Sequence, residues 1–190
     1  MLRTACIQAK AWRDRGMNLP RIAVNVSVRQ FAKNQFPDLV KSILHETGLD
    51  TGVLELEITE SVLMKNGANA LRMLQSLKDI GICLAIDDFG IGYSSLNLLR
   101  QFSIDRLKID RAFVSMADPD PQSLAITASI ISMAENLNLM VIAEGVETEE
   151  QLLYLKDRQC EEIQGFFYCR PPLTGEAFLL ENACQNSFCN

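Results

Sequence analysis

Six short apolar segments of the sequence end in residues that can ligate a metal ion or handle a proton. These residues are Asn25, Glu57 with Glu60, Asp87 with Asp88, Lys108 with Asp110, Glu144 with Glu147, and Gln164. Oxygen donors without clustered Cys or His are the ligands that Mg²⁺ and Mn²⁺ prefer. Twin carboxylates such as Asp87 and Asp88 can serve two metal ions about 3.5–4 Å apart, which activates water and stabilises a phosphoryl oxygen. The pattern therefore predicts a two-metal site.

Several of these residues also have a purely structural interpretation. Glu57 alone is typical of a salt bridge at a strand end, and Glu60 and Glu147 are typical of helix starts. Lys108 is predicted to point inward, where a structural ion pair and a catalytic cation are both open. Two carboxylates that end an apolar run are costly to bury without cations, so the Asp87–Asp88 pair favours the functional interpretation.

The elements that would position these residues alternate along the chain. Strand-like runs cover 21–28, 54–59, 83–87, 106–109, 140–143 and 162–166, and helical patterns cover 36–47, 68–80, 124–137 and 148–158. The last helix begins with a capping box at Thr148 and Gln151. An uninterrupted alternation of strands and helices predicts parallel strands joined by crossover helices.

Side-chain alternation within the strands favours a barrel over an open sheet. In segment 54–59, Leu54 and Leu56 face away from Glu55 and Glu57, whereas a central strand of an open sheet is apolar on both faces. An eight-stranded barrel has eight strand–helix units and about 250 residues, and the sequence shows six units. We therefore expect an incomplete (β/α)8 TIM-type barrel over residues 1–180, without its N-terminal strands, and a frayed tail over 181–190.

Composition narrows the possible partners and location. The 190 residues carry a formal net charge of −6, with 18 basic and 24 acidic residues, which argues against binding to nucleic acid or anionic lipid. No apolar run is long enough to span a membrane, so direct membrane insertion is not expected. The six cysteines are scattered, which predicts a reducing cytoplasm and no structural zinc.

Six motifs in order resemble the EAL domain, the bacterial phosphodiesterase family that hydrolyses cyclic di-GMP to linear pGpG. They are NVSVRQF (25–31), ELEITES (55–61), DDFGIGYSSL (87–96), LKIDRAFV (107–114), AEGVET (143–148) and QGFFYCRPP (164–172). The resemblance covers the chain from the first helix to about Leu180.

The resemblance implies a role for each matching position. The implied metal ligands, with Asp87 shared by both ions, are Asn25, Glu57, Asp87, Asp88 and Glu144. Lys108 would hold or polarise the attacking water, Glu60 and Glu147 would support the loop after Asp88 or the metal ligands, and Gln164 would lie near water and substrate. Arg29, Arg170 and Pro171 would contact the dinucleotide, and Gly90–Leu96 would form a homodimer interface.

Two departures from the family pattern qualify this prediction. Ile91 replaces the usual threonine of the DDFGTG loop, which removes a hydroxyl, and the Glu-Ala-Leu motif with its metal-ligating glutamate is absent. We therefore expect an active parent phosphodiesterase but weak or no turnover by this chain. The alternatives are a non-catalytic cyclic di-GMP-binding or protein-interaction module, and an unrelated metal-dependent barrel hydrolase.

Overall fold

The computed structural model describes residues 1–91, 99, 101–114, 121–160 and 162–167. The strands in these residues are β1 (Ile22–Asn25), β2 (Leu54–Thr59), β3 (Cys83–Phe89), β4 (Arg106–Ile109), β5 (Met140–Glu144) and β6 (Glu162–Gln164). The helices are α1 (Leu2–Asp14), α2 (Val28–Phe31), α3 (Phe36–Thr47), α4 (Glu60–Ile80), α5 (Arg111–Val114), α6 (Pro121–Asn136) and α7 (Glu149–Asp157), with a 3₁₀ turn at Thr51–Val53.

The six strands form one parallel sheet in the order β1-β2-β3-β4-β5-β6. Crossovers between parallel strands are right-handed, so a sheet that never reverses its strand order keeps its helices on one face. A doubly wound sheet would reverse the order at a switch point. The described sheet is instead a curled half-barrel with helices outside it, which confirms the prediction of an incomplete (β/α)8 barrel.

The two faces of the strands have opposite chemistry. Leu54, Leu56 and Ile58 of β2 are buried with the core, while Glu55 and Glu57 on the other face are also buried. The apolar face packs under the helices, where burying one such side chain contributes about 1.5–3 kcal/mol. The polar face lines the interior of the half-barrel, as the alternation of the sequence predicts.

The local structure departs from the sequence prediction in several elements. The strand predicted over 83–87 runs to Phe89 and the one predicted over 162–166 ends at Gln164, while the two largest differences lie in β1 and α4. The strand predicted over 21–28 ends at Asn25, because Ser27 and Gln30 form a capping box that starts α2. The signal for this was the S-x-x-Q spacing. The helix predicted over 68–80 is the second half of α4, which begins at Glu60 and kinks at Gly67, where φ is 44°.

The capping box of the last helix is confirmed. The Gln151 N–H donates to the Thr148 hydroxyl, and the Thr148 N–H donates to the Gln151 side-chain oxygen. Among the described residues, no helix is both long and apolar enough to cross a lipid bilayer.

Candidate active site at the carboxyl ends of the strands

Lys108 stands at the centre of a buried acidic cluster. Its Nζ lies 2.6 Å from Glu57 Oε1, 3.3 Å from Asp87 Oδ1 and 2.5 Å from Glu144 Oε1. These three carboxylates come from β2, β3 and β5, and the lysine comes from β4, so the cluster joins four neighbouring strands. The Lys108 side chain is only 4% exposed, which means that the carboxylates, not water, neutralise its ammonium.

A bulge in β3 brings Asp88 to the same side as Asp87. Ile86 pairs with Leu107 and Phe89 pairs with Ile109, so β3 carries one more residue than β4 between these pairs. Asp88 is at the bulge: its φ is 55°, and its N–H donates to Asp87 Oδ1. The strand predicted over 83–87 continues to Phe89, so the bulge, and not the end of the strand, turns the Asp88 side chain.

Because the backbone at Asp88 is left-handed, different substitutions of this residue should have different effects on stability. Asn tolerates this conformation, whereas a β-branched residue is strained in it. We expect Asp88→Asn to leave the free energy of unfolding within about 1 kcal/mol of the wild type while weakening Mn²⁺ binding, and Asp88→Val to lower both. Urea unfolding and calorimetric titration with Mn²⁺ would check this. Equal stability of the two variants would contradict the bulge.

The charge of the cluster suits divalent cations. Burial is the main cause that raises the pKa of Glu57, Asp88 and Glu144 above that of an ordinary carboxyl group, and neighbouring carboxylates add to it. Lys108 has its pKa raised as well, because hydrogen bonds to Glu144 and Glu57 outweigh the opposing effect of its burial. Four carboxylates facing one ammonium leave a negative excess that hard cations would balance.

The geometry agrees with this charge balance. Carboxylate oxygens of Asp87, Asp88 and Glu144 lie within 4.8 Å of one another, close enough to ligate one ion together. Asp87 and Glu144 belong both to this group and to the set of Lys108 contacts. The residues present therefore fit a hard divalent cation held by oxygen ligands.

The raised pKa values predict how pH changes the effect of a metal ion. A carboxyl group whose pKa is raised on folding stabilises the metal-free protein below its unfolded pKa, and this stability is lost as pH rises through its folded pKa. A bound cation favours the charged form and removes the loss. We therefore expect Mn²⁺ to raise the melting temperature more at about pH 7.5 than at about pH 5.5. Differential scanning calorimetry would check this, and a larger shift at the lower pH would contradict it.

The structure exposes most of the other predicted residues and buries one of them. Asn25, Arg29, Glu147 and Gln164 are exposed. Glu60 is buried in the first turn of α4 and lines a small cavity with Ile86 and Phe89. Arg170, Pro171 and most of the segment 90–96 lie outside the described residues. Ile91, which is described, is 61% exposed.

Two further features of the structure have no role predicted from the sequence. Asp110 lies near Asp88 and contributes to the raised pKa of that carboxyl group. Deeper in the half-barrel, Arg106 forms ion pairs with Glu55 and Glu162. The alternation of β4 indicates that Arg106 and Lys108 share a face, but their partners depend on how the sheet curves.

Comparisons with known proteins agree with this architecture. The family described as "EAL domain" matches residues 1–171. Cyclic di-GMP phosphodiesterase NbdA of Pseudomonas aeruginosa is 40% identical over 181 residues, which are 94% of this chain and 23% of that protein. The solved structure "PaMucR Phosphodiesterase, c-di-GMP complex" is 40% identical, with a TM-score of 0.88 over 93% of this chain and 71% of that one.

A second solved structure contains a metal ion by its description. The manganese/cy-diGMP complex of Klebsiella pneumoniae BlrP1 at pH 9.0 is 29% identical, with a TM-score of 0.76 over 89% of this chain and 45% of that one. The parallel half-barrel, with its acidic mouth around Lys108, therefore has the fold of a phosphodiesterase structure and of a manganese/cy-diGMP complex. The chain belongs to the EAL domain family. It spans between about a fifth and little more than a quarter of the length of curated relatives that it matches.

Proposed function

We propose that the mouth of the half-barrel binds cyclic di-GMP and hydrolyses one of its phosphodiester bonds, giving linear pGpG, with Mg²⁺ or Mn²⁺ as the cofactor. The observation that carries this proposal is the contact of Lys108 with Glu57, Asp87 and Glu144 at the carboxyl ends of their strands. The names of similar proteins support the substrate: NbdA is a cyclic di-GMP phosphodiesterase, and the MucR and BlrP1 structures are cyclic di-GMP complexes.

The carboxylates of the mouth would hold the cations. The proposed ligands are Asn25, Glu57, Asp87, Asp88 and Glu144. Bound divalent cations supply Lewis-acid stabilisation of phosphoryl charge and lower the pKa of water. Asp87 would be the central ligand, because it belongs both to the carboxylate group that could hold an ion and to the contacts of Lys108.

Lys108 would orient the attacking water and stabilise developing negative charge on the phosphoryl group. Its three carboxylate contacts keep the ammonium protonated, so the side chain acts as a donor and not as a base. A fixed donor in a site with little water stabilises a transition state more strongly than a solvated one. Of the residues in the cluster, Lys108 is therefore the one to which we assign stabilisation of the transition state.

The remaining predicted residues surround this centre. We propose that Gln164 lies near the water and substrate, that Arg29, Arg170 and Pro171 contact the dinucleotide, and that Glu60 and Glu147 support the loop after Asp88 or the metal ligands. Arg29 and Gln164 are both exposed, as substrate contacts at the mouth should be. Arg29 follows β1 and Gln164 ends β6, so they flank the acidic cluster from opposite ends of the sheet.

A homodimer and a cytoplasmic location complete the proposal. The exposed Ile91 would contribute to an interface over Gly90–Leu96. The described cysteines Cys6, Cys83 and Cys160 are free and buried, as expected in a reducing compartment. Analytical ultracentrifugation of the wild type and Ile91→Asp would test the interface, with dissociation of a dimer expected for the variant. A wild-type monomer at high concentration would overturn it.

A non-catalytic cyclic di-GMP-binding module is a second candidate, because a specific sequence feature favours it. The 190 residues contain no Glu-Ala-Leu sequence, so the ligand that this motif supplies in the family is not among them. Such a module would keep the substrate contacts and lose turnover. Nucleotide binding and nucleotide hydrolysis therefore require separate measurements.

Equilibrium dialysis with cyclic di-GMP tests the binding part of the proposal. We expect binding in the presence of Mn²⁺ and at least about tenfold weaker binding after Asp87→Asn, since that carboxylate would hold both ions. Asp14→Asn removes an exposed carboxylate of α1 and serves as the matched control, with unchanged binding. Absence of binding by the wild type would overturn the proposal and favour an unrelated metal-dependent hydrolase.

A further inference from the structure

The interior layer directly below the mouth is ionic. Arg106 Nη1 donates to Glu55 Oε2 at 2.9 Å, and both side chains are 4% exposed. The Nη2 of the same guanidinium forms an ion pair with Glu162. Barrels of this type usually fill such layers with bulky Val, Ile and Leu. The replacement of apolar side chains by ion pairs in this layer therefore indicates a specific structural role.

Arg106 connects strands that do not touch through their backbones. Glu55 lies in β2, Arg106 in β4 and Glu162 in β6, and β3 and β5 separate these strands. The intervening strand β3 carries the small residues Cys83 and Ala85 where it pairs with β2 and β4. Cys83 also donates a weak hydrogen bond to Glu55, with an Sγ to Oε2 distance of 3.5 Å, and burial beside Glu55 raises the pKa of its thiol to about 12.

The three linked residues each precede a predicted mouth residue by two positions. Glu57 follows Glu55, Lys108 follows Arg106, and Gln164 follows Glu162. Residues two apart on a strand share a face, so each member of the ionic layer lies beneath one member of the mouth. The contact between Lys108 and Glu57 repeats the contact between Arg106 and Glu55 one step further along the same two strands.

We infer that Arg106 is a positioning residue, whose guanidinium fixes β4 relative to β2 and β6 and so sets the spacing of Glu57, Lys108 and Gln164 at the mouth. A guanidinium suits this task because its donors form a rigid planar fork that binds two carboxylates at once. A lysine at this position would be a point charge and would hold one of them less firmly.

Charge and geometry make opposite predictions for the loss of Arg106, which allows a clear test. Removing a positive charge two residues from Lys108 would by itself strengthen cation binding. Loss of the positioning contact would instead spread the carboxylates and weaken it. We expect Arg106→Gln to raise the dissociation constant for Mn²⁺, measured by calorimetry, about tenfold or more, as is typical when a residue that supports metal ligands is changed. This expected change in Mn²⁺ affinity rests on the proposed metal site.

A second readout is independent of metal and of activity. The Val146 N–H donates to the Gln164 carbonyl, and the Phe167 N–H donates to the Val146 carbonyl, so these amides report on the mouth end of β6. We expect hydrogen exchange in segment 145–167 of metal-free Arg106→Gln to be about tenfold faster than in the wild type. If wild-type protein binds no Mn²⁺, the metal proposal fails while this readout still decides the role of Arg106.

Lys78→Met is the matched control. Lys78 contacts Asp105 at 2.6 and 2.8 Å near the start of β4, outside the interior layer. We expect this variant to lower the melting temperature without changing Mn²⁺ affinity or exchange in segment 145–167. Arg106→Lys should give a Mn²⁺ affinity and an exchange rate in segment 145–167 that lie between those of the wild type and Arg106→Gln. It replaces Arg106→Gln if that variant does not fold. Mn²⁺ affinity at or above the wild type in both Arg106 variants, with unchanged exchange, would overturn the inference.

Discussion

Lys108→Met is expected to abolish most turnover of cyclic di-GMP and to destabilise the metal-free protein. The variant leaves Glu57, Asp87 and Glu144 without the ammonium that now contacts each of them. Removing one member of a buried ion pair costs about 3–5 kcal/mol, and losing a positioned proton donor lowers turnover about 10²–10⁴-fold. Urea unfolding in the presence of a chelator and a steady-state assay with Mn²⁺ would measure the two effects.

Mn²⁺ should separate the loss of stability of Lys108→Met from its loss of turnover. A divalent cation can replace the missing positive charge, so saturating Mn²⁺ should restore much of the free energy of unfolding but not the turnover. Lys78→Met is the control here too, because its ion pair with Asp105 is partly exposed and should contribute about 1 kcal/mol or less. A metal-free Lys108→Met protein as stable as the wild type would contradict the structural role of the cluster.

Gly165→Ala is expected to cause the largest loss of stability from a single methyl group. A Cβ at this position would lie 2.1 Å from the carbonyl oxygen and 2.4 Å from the nitrogen of Val146. Both atoms belong to the backbone, which cannot move aside as a flexible side chain can. The variant must therefore separate the end of β5 from β6, and we expect a loss of more than about 3 kcal/mol in the free energy of unfolding.

The same change should disturb the mouth, because Gln164 immediately precedes this glycine and Glu144 closely precedes Val146. Gly52→Ala is a suitable control: its Cβ would meet only the Asp50 side chain, at 3.6 Å, so its effect should stay within about 1 kcal/mol. Urea denaturation of both variants compares them directly. A similar, small effect of the two substitutions would show that β5 and β6 are not packed this closely.

The sequence carried enough information to predict the architecture. Leu54 and Leu56 alternating with Glu55 and Glu57 indicated a polar interior beneath apolar outer faces, and the sheet has this arrangement. The predicted strand at 21–28 was too long, because a local capping box at Ser27 overrides the valine alternation that continues past Asn25.

The site was predictable in its residue types but not in its contacts. Polar strand ends indicated that Glu57, Asp87, Lys108 and Glu144 would converge, since parallel strands bring their carboxyl ends to one edge. The turn of Asp88 depends on one extra residue in the pairing of β3 with β4, which single-sequence patterns do not specify. The pairing of Arg106 with Glu55 joins residues 51 positions apart and depends on the curvature of the sheet.

Hydrolysis of cyclic di-GMP by this chain decides whether the mouth of the half-barrel is catalytic. The chain would be incubated with cyclic di-GMP and Mn²⁺ beside Asp87→Asn and the Asp14→Asn control, and pGpG would be followed by chromatography. We expect pGpG from the wild type and from Asp14→Asn, formed slowly because the Glu-Ala-Leu glutamate is not among the 190 residues, and none from Asp87→Asn. Equal pGpG from the wild type and Asp87→Asn would overturn the proposed hydrolysis, and no pGpG from a wild type that binds both Mn²⁺ and the nucleotide would leave the non-catalytic binding module.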